Sequence, residues 1–348
     1  MHRASLALGS MLLTLVARCS LAPLVSMDAA SDARTGEDRV DLSDATTATD
    51  VENAAQTYRV DLVTPELAPG EERTICAVHK IANRAGAMLR EARVHIGNAS
   101  HHLIVYRTAT RQESREWTPC NGFSGLFGAT TSTLPVVAAQ QERTTLRLPS
   151  DPPVGIPMEA EQHLRFEFHV INISREPAVA RASVELDLAP RTTDTREAHI
   201  LFWGTADISV SPRATGEARL RRAPPEGASL FSLSSHTHQF GTLASVSIGR
   251  GAGVDATDLR EVHRSTNWSD PPQTVFAPAL RLAADEHLHL RCEYRNTSDR
   301  TLRFGESAFE EMCFLWAYYY PATQSQFCLE MPGGSGSACG VLRYTPEE

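Results

Sequence analysis

The sequence carries no excess of positive charge, no long apolar run beyond Ala17, no CxxC pair and little helical periodicity. Lys and Arg number 33 against 42 Asp and Glu, a net charge of -9. Without a basic stripe to neutralise phosphates, nucleic acid is not an expected partner. No segment after the first residues approaches the roughly 18 consecutive apolar positions that a membrane helix needs, so no transmembrane segment is expected. The missing CxxC disfavours a zinc ribbon. A repeat at a period of roughly 20 to 50 residues is also missing, which argues against a propeller or solenoid.

What is present points to an exported, folded protein. At about 150 residues per domain, 348 residues predict roughly two domains. A composition of 42% hydrophobic and 22% charged residues can build real cores. His2 and Arg3 precede an apolar run, Ala4 to Ala17, of the length of a signal-peptide core, so residues 1–22 read as a signal peptide. Cys19 is a candidate lipoprotein acceptor, although Arg18 before it is a poor fit to the small residue such a site needs. Residues 23–57 are acidic, small and nearly free of aromatics, the composition of a disordered linker.

From Tyr58 onward, short runs such as ARVHIG, LRFEFHVIN, ASVELDLA and HLHLRCEY alternate apolar and polar residues with period two. Pro and Gly punctuate them. The expected fold class is all-β, as antiparallel β-sandwiches, with one weak helical stretch near Asn83 to Arg93. The turn-rich segment Ala189 to Glu197 divides the ordered part into an N-terminal sandwich, 58–190, and a C-terminal one, 191–348.

Seven cysteines become six when Cys19 is set aside with the leader. An even number in an oxidising compartment suggests up to three disulfides, with the pairing open from sequence alone. Locality favours Cys76 with Cys120, Cys292 with Cys313, and Cys328 with Cys339.

Among 13 histidines, clustering is the informative feature. His236 and His238, in SSHTHQFG, share one face of an extended strand and could chelate one ion; the bland alternative is an exposed polar face. His101 and His102, in SHHLIVY, are strand neighbours that face opposite ways, so both can reach one ion only at a strand end or bulge. His169, in RFEFHVIN, shares a face with Glu167, and reads equally as a core-edge histidine. Met312, in EEMCFLW, would ordinarily be core packing; as a ligand its soft thioether selects Cu(I). His287 and His289 form a second same-face pair and are expected to be exposed, while His79, His95, His163, His199 and His263 have no partner of matching spacing.

Taken jointly, HH, a later single His, HTH and then EMC, with a local cysteine pair in each half, resemble the ascorbate-dependent type II copper monooxygenases, the family of peptidylglycine α-hydroxylating monooxygenase and dopamine β-monooxygenase. The likeness runs from about Tyr58 to Tyr320. It implies two tandem jelly-roll-like sandwiches and two copper ions per chain. His101, His102 and His169 would hold the electron-transfer copper, and His236, His238 and Met312 the catalytic one that meets dioxygen. The two pockets would face each other over an open gap. Ascorbate or a similar small reductant would be the co-substrate. Glu167 is the candidate to support His169 from behind. A Cys76–Cys120 bond would close a loop of about 44 residues around HH, worth up to roughly 4 kcal/mol. A Cys292–Cys313 bond would brace the Met312 strand.

Substrate recognition departs from the family. In the amidating enzyme an Arg two positions before HTH, with an Asn and a Tyr after the ligand Met, clamps a peptide carboxylate. Ser234, Phe314 and Trp316 stand there instead, and none can form a bidentate clamp. Phe314 and Trp316 suggest an apolar or aromatic substrate wall. The expected function is an exported copper monooxygenase that hydroxylates a C–H bond of a small substrate. The alternatives are an exported copper-binding protein without turnover and, further off, an HxH zinc site in a cupin-like hydrolase.

Overall fold

The computed structural model describes residues 55–123, 133–251, 256, 258–342 and 344. The expected signal peptide, Cys19 and nearly all of the expected linker lie outside the described residues. The first strand, Gln56–Val63, already begins at the linker's end.

The described residues are all-β apart from one short 3-10 turn at Pro332–Gly334. They form four main sheets. In the N-terminal half an outer sheet takes the order Gln56–Val63, Arg181–Ala189, Ala87–Ile96, Val154–Met158, Arg196–Glu197, with Arg143–Arg147 also on Ala87–Ile96. An inner sheet runs Ser114–Pro119, Glu72–Lys80, His163–Ile171, Ser100–Thr108, Thr133–Ala139. In the C-terminal half the inner sheet runs Thr274–Arg281, Ser229–His236, Phe314–Tyr320, His199–Thr205, Ser325–Glu330, Ser337–Leu342. Its outer sheet runs Thr215–Arg222, Glu286–Arg295, Gly241–Arg250, Arg260–Ser265. Most pairings are antiparallel, and the sheets change over at Ala198, between Arg196–Glu197 and His199–Thr205. The described residues nevertheless pack as one compact unit.

Two apolar clusters explain that unity. One is filled from both N-terminal sheets and runs on to Phe202, Phe231, Phe314, Trp316, Tyr318 and Phe327 of the C-terminal inner sheet. The other lies between the C-terminal sheets and takes Leu201, Trp203, Leu315, Ala317 and Tyr319. Successive residues of Phe314–Tyr320 therefore enter opposite cores, and all seven are buried. A strand covered on both faces loses its polar alternation, which is why FLWAYYY reads as a continuous apolar run.

The weak helix expected near Asn83 to Arg93 is not formed; the segment enters the strand Ala87–Ile96. Pairing with Arg181–Ala189 skips Arg90, since Asp187 faces Glu91 but Leu188 faces Leu89. That bulge shifts the phase of the strand, so buried Met88, Leu89 and Ala92 imitate helical spacing. Beyond it Ala92, Val94 and Ile96 resume period two. The three local disulfides are formed as expected: Cys76–Cys120, Cys292–Cys313 and Cys328–Cys339.

Gly204 shows how closely the inner strands approach. A Cβ placed there would lie only 2.2 Å from the nearest atom of the Phe314 ring. Gly204→Ala should therefore lower stability by about 1–3 kcal/mol through overpacking. Urea unfolding at unchanged m-value would report it as a lower midpoint, and an unaltered midpoint would contradict this packing.

Candidate metal centre

The local chain geometry brings His101, His102 and His169 together. Strand Ser100–Thr108 pairs with His163–Ile171 so that Ser100 faces Val170 and His102 faces His169, leaving His101 as the extra residue of a bulge. This is the device that neighbouring histidines require in order to reach one ion. The three rings form a near-equilateral set, with centroids 5.1 Å apart for His101–His102 and 5.0 Å for both His101–His169 and His102–His169.

His236 ends the strand Ser229–His236 and His238 follows it by two, their rings 5.0 Å apart and perpendicular. His236 is paired with Phe314, two residues after Met312, and the Glu311 carboxylate accepts the backbone N–H of both His238 and Met312. Met312 is fully buried, and its carbonyl accepts a hydrogen bond from the Tyr294 hydroxyl at 2.9 Å. The Cys292–Cys313 bond adjoins it.

The two sets do not face each other over an open gap. His101 lies 5.5 Å from His236 and 5.7 Å from His238, and His102 lies 5.6 Å from His236. Ligand nitrogens of His101, His102 and His169 come within 4.8 Å of one another, and so do those of His101, His236 and His238. The separate pockets implied by the resemblance are here one contiguous cluster. The reason is the shared aromatic seam between the inner sheets. Phe123 stacks on Phe314 at 6.0 Å and packs 5.4 Å from both Phe202 and His102, drawing the halves together beside the rings.

Each anchored imidazole is turned by a partner behind it. Gln140, just past the strand Thr133–Ala139, donates its amide N–H to the Ser235 carbonyl at 2.9 Å and accepts His236 Nδ1–H at 2.5 Å. His238 Nδ1–H donates to the Glu310 carbonyl at 3.2 Å. His169 Nε2–H donates to Glu72 Oε1 at 2.8 Å. In each ring the opposite nitrogen is thereby left with its lone pair. His101 Nε2, both nitrogens of His102, His236 Nε2 and His238 Nε2 are buried without a hydrogen-bond partner among the described residues. Buried polar atoms without partners are costly, so this many in one cluster signals a bound group. Clustered neutral imidazoles form a donor set suited to copper, among other divalent metals.

Glu167 shares the His169 strand and is fully buried, not a surface carboxylate. It accepts hydrogen bonds from Phe123 N at 2.6 Å and Tyr106 Oη at 3.2 Å. The carboxylate bonded to His169 is Glu72, 97 residues away and unmarked by any local motif. Glu311 was equally hidden. Fully buried, it accepts His238 N at 3.0 Å, Phe240 N at 2.8 Å and Met312 N at 3.3 Å, fixing the backbone of both candidate ligands. Its place directly before Met312 is the one cue the sequence offered. Phe314 and Trp316 are buried in the seam, the latter 6.1 Å from His236.

The alternative pair behaves differently from its expectation in part. His289 is buried, while His287 is half-buried and hydrogen-bonded to Arg221 at 3.0 Å. Neither belongs to a metal-sized cluster among the described residues. Of the unpartnered histidines, His263 sits between the Ser235 and Thr274 hydroxyls, and His199 beside Ser325.

Residues 214–334 match the family model of the copper type II ascorbate-dependent monooxygenase C-terminal domain. That segment, about a third of the chain, is similar to the C-terminal domain of this family. The chain is 31% identical over 107 residues to tyramine beta-hydroxylase of Caenorhabditis briggsae, covering 30% of this chain and 18% of that protein. It is 30% identical over 109 residues to dopamine beta-hydroxylase of Equus caballus, covering 30% and 17%. The match thus spans less than a fifth of each curated relative. A PBCV-1 virus capsid structure aligns over 77% of this chain and 94% of its own, at 10% identity, but a TM-score of 0.27 supports no shared fold. His236, His238, Met312 and the Cys292–Cys313 bond fall inside the monooxygenase match, whereas His101, His102 and His169 lie outside it.

Electrostatics follow from burial. Burial, and then the neighbouring rings, hold His101, His102 and His236 well below the ordinary imidazole range, and burial lowers His238 to about 4. Burial pushes Glu311 up to about 7 against the pull of its backbone N–H donors. For the histidines, the folded value is depressed, so their contribution is present above pH 6.5 or so and is lost as pH falls. For Glu311 the folded value is raised, so its contribution is present at low pH and lost as pH rises through about 7. The metal-free protein should therefore be most stable near pH 6.5 to 7. Below that, each imidazole still neutral in the fold at pH 5.5 costs up to about 1.4 kcal/mol. Thermal unfolding between pH 5 and 8 checks this, and an acid limb without slope would contradict the burial of the cluster.

Proposed function

We propose that this chain is an exported two-copper monooxygenase that hydroxylates a C–H bond of a small, apolar or aromatic substrate, drawing electrons from ascorbate or a similar reductant. The observation that carries this reading is the cluster of five buried imidazoles, four of which (His101, His102, His236 and His238) have buried nitrogens without partners among the described residues. His101, His102 and His169 would hold one copper and His236, His238 and Met312 the other. Copper held there would supply one-electron chemistry and the activation of dioxygen, one oxygen atom entering the substrate and the other leaving as water.

The chain's own groups do the positioning. Gln140 and the Glu310 carbonyl keep protons on His236 Nδ1 and His238 Nδ1, so both Nε2 atoms face inward. Glu311 and Tyr294 clamp the Met312 backbone from two sides. Phe123, Phe202 and Phe314 form a dry backing to the rings.

Two contacts support a substrate without a carboxylate. Ser234, at the place of the family's clamping Arg, donates its hydroxyl to the Pro272 carbonyl at 3.0 Å. The loop leading to Pro272 sets the Trp268 ring 5.5 Å from His101. An aromatic cover in place of a cation favours a neutral or aromatic partner. Three disulfides fit an oxidising compartment and hence export.

The second reading, a copper-binding protein without turnover, draws on the contiguity of the two triads through His101. Oxygen uptake separates them. Purified protein should load two coppers per chain and consume oxygen under ascorbate with a small aromatic substrate. Met312→Ala should abolish uptake while one copper stays bound, and His287→Ala should be silent. One copper in the wild type, or full activity in Met312→Ala, would refute the two-site reading.

A further inference from the structure

The Glu72 carboxylate touches both halves of the candidate centre. It begins the strand Glu72–Lys80. Its Oε1 accepts His169 Nε2–H at 2.8 Å and the backbone N–H of Ala308 at 2.9 Å, and its Oε2 accepts the Ser307 hydroxyl at 3.1 Å. Burial raises its affinity for a proton, but the bonds from His169, Ala308 and Ser307 outweigh that and hold it ionised, down to about 2.

Ser307 and Ala308 belong to the segment that reaches Met312. The Ala308 carbonyl accepts the side-chain amide of Gln239, the neighbour of His238, at 2.8 Å. Two residues later the Glu310 carbonyl holds His238 Nδ1, and Glu311 holds the His238 and Met312 backbones. A continuous path thus runs from His169 through Glu72 and Ala308 to His238. The segment has little apolar anchorage of its own: Ala308 and Glu311 are buried, but Phe309 is 55% exposed. Its shape therefore depends on polar contacts such as those from Glu72.

We propose that Glu72 is a positioning residue that couples the two triads, so that an ion on His101, His102 and His169 preorganises the site of His236, His238 and Met312. An ion held by His169 fixes the ring, the fixed ring fixes the carboxylate, and the carboxylate fixes the backbone carrying the second ligand set. Such coupling is reciprocal, so filling the second triad must also tighten the first. The proposal rests on the copper reading above and adds to it a route between sites that share no ligand except through His101.

The test is a double-mutant cycle on the full chain, with Cu(I) competed against a chromophoric chelator and the copper–sulfur signal in X-ray absorption reporting the Met312 site. His102→Ala empties the first triad without touching Glu72; Glu72→Gln keeps the size of the side chain but removes its charge. Each alone should weaken copper at the second triad by about 10-fold, the lower end of what partners behind metal ligands contribute. The double variant should be no weaker than either single one, because both break the same path. Ser307→Ala, on the same path in a partly exposed segment, should give a smaller loss in the same direction and serves if Glu72→Gln does not fold.

Wild-type affinity at the second triad in Glu72→Gln or Ser307→Ala would overturn the coupling, as would losses that multiply in the double variant. A wild-type chain showing no copper–sulfur signal would defeat the copper reading itself, a result distinguishable from a second copper that binds equally tightly in every variant.

Discussion

Residues of the strand Phe314–Tyr320 point alternately into two apolar clusters, so the sheet that carries them must be covered twice. Its own partner sheet covers one face and the N-terminal half covers the other. Exposing either face would return several large aromatic side chains to water, at roughly 1.5–3 kcal/mol each. The two halves are therefore held as one compact body by the same strand that Met312 and Cys313 lead into. The histidine cluster lies beside that seam, where Phe123 packs against His102, Phe202 and Phe314.

Within this dry setting the imidazoles are arranged by hydrogen bonds from behind. A ring nitrogen bonded to a carboxylate, an amide oxygen or a backbone carbonyl must carry its proton there, and the other nitrogen then presents a lone pair. His169, His236 and His238 each follow this rule with a different partner: Glu72, Gln140 and the Glu310 carbonyl. Two of these partners come from the N-terminal half, and Gln140 acts on a histidine of the C-terminal half. The orientation of the His236 ring thus depends on both halves of the body. Burial that holds the imidazoles neutral serves the same end, since only a neutral ring can donate electrons to a metal.

Polar and aromatic groups also surround the cluster where the resemblance would place substrate contacts. Where the resemblance leads one to look for an Arg, Ser234 is occupied by the Pro272 carbonyl, and the adjoining loop lays Trp268 near His101. The groups present there are an aromatic ring and a hydroxyl bonded to a carbonyl. Neither residue hydrogen-bonds a ring of the cluster in the contacts that orient His169, His236 and His238.

Sequence by itself determined the local terms: period-two strands, and histidines whose spacing suits a bulge at His101 and a strand end at His236. These depend on neighbours a few residues apart, so their logic is written along the chain. Where a bulge broke the phase, at Arg90, even local logic misled and imitated a helix. Tertiary structure alone decided which HxH pair enters the cluster. His236 and His287 begin motifs of identical spacing, but only the inner sheet brings one of them beside His101. It alone supplied Glu72 and Gln140, 97 and 96 residues from the rings they hold, and it alone closed the two triads into one cluster. The physical reason is that ring orientation and proximity are set by sheet packing and long-range hydrogen bonds, which leave no periodic trace in the order of residues.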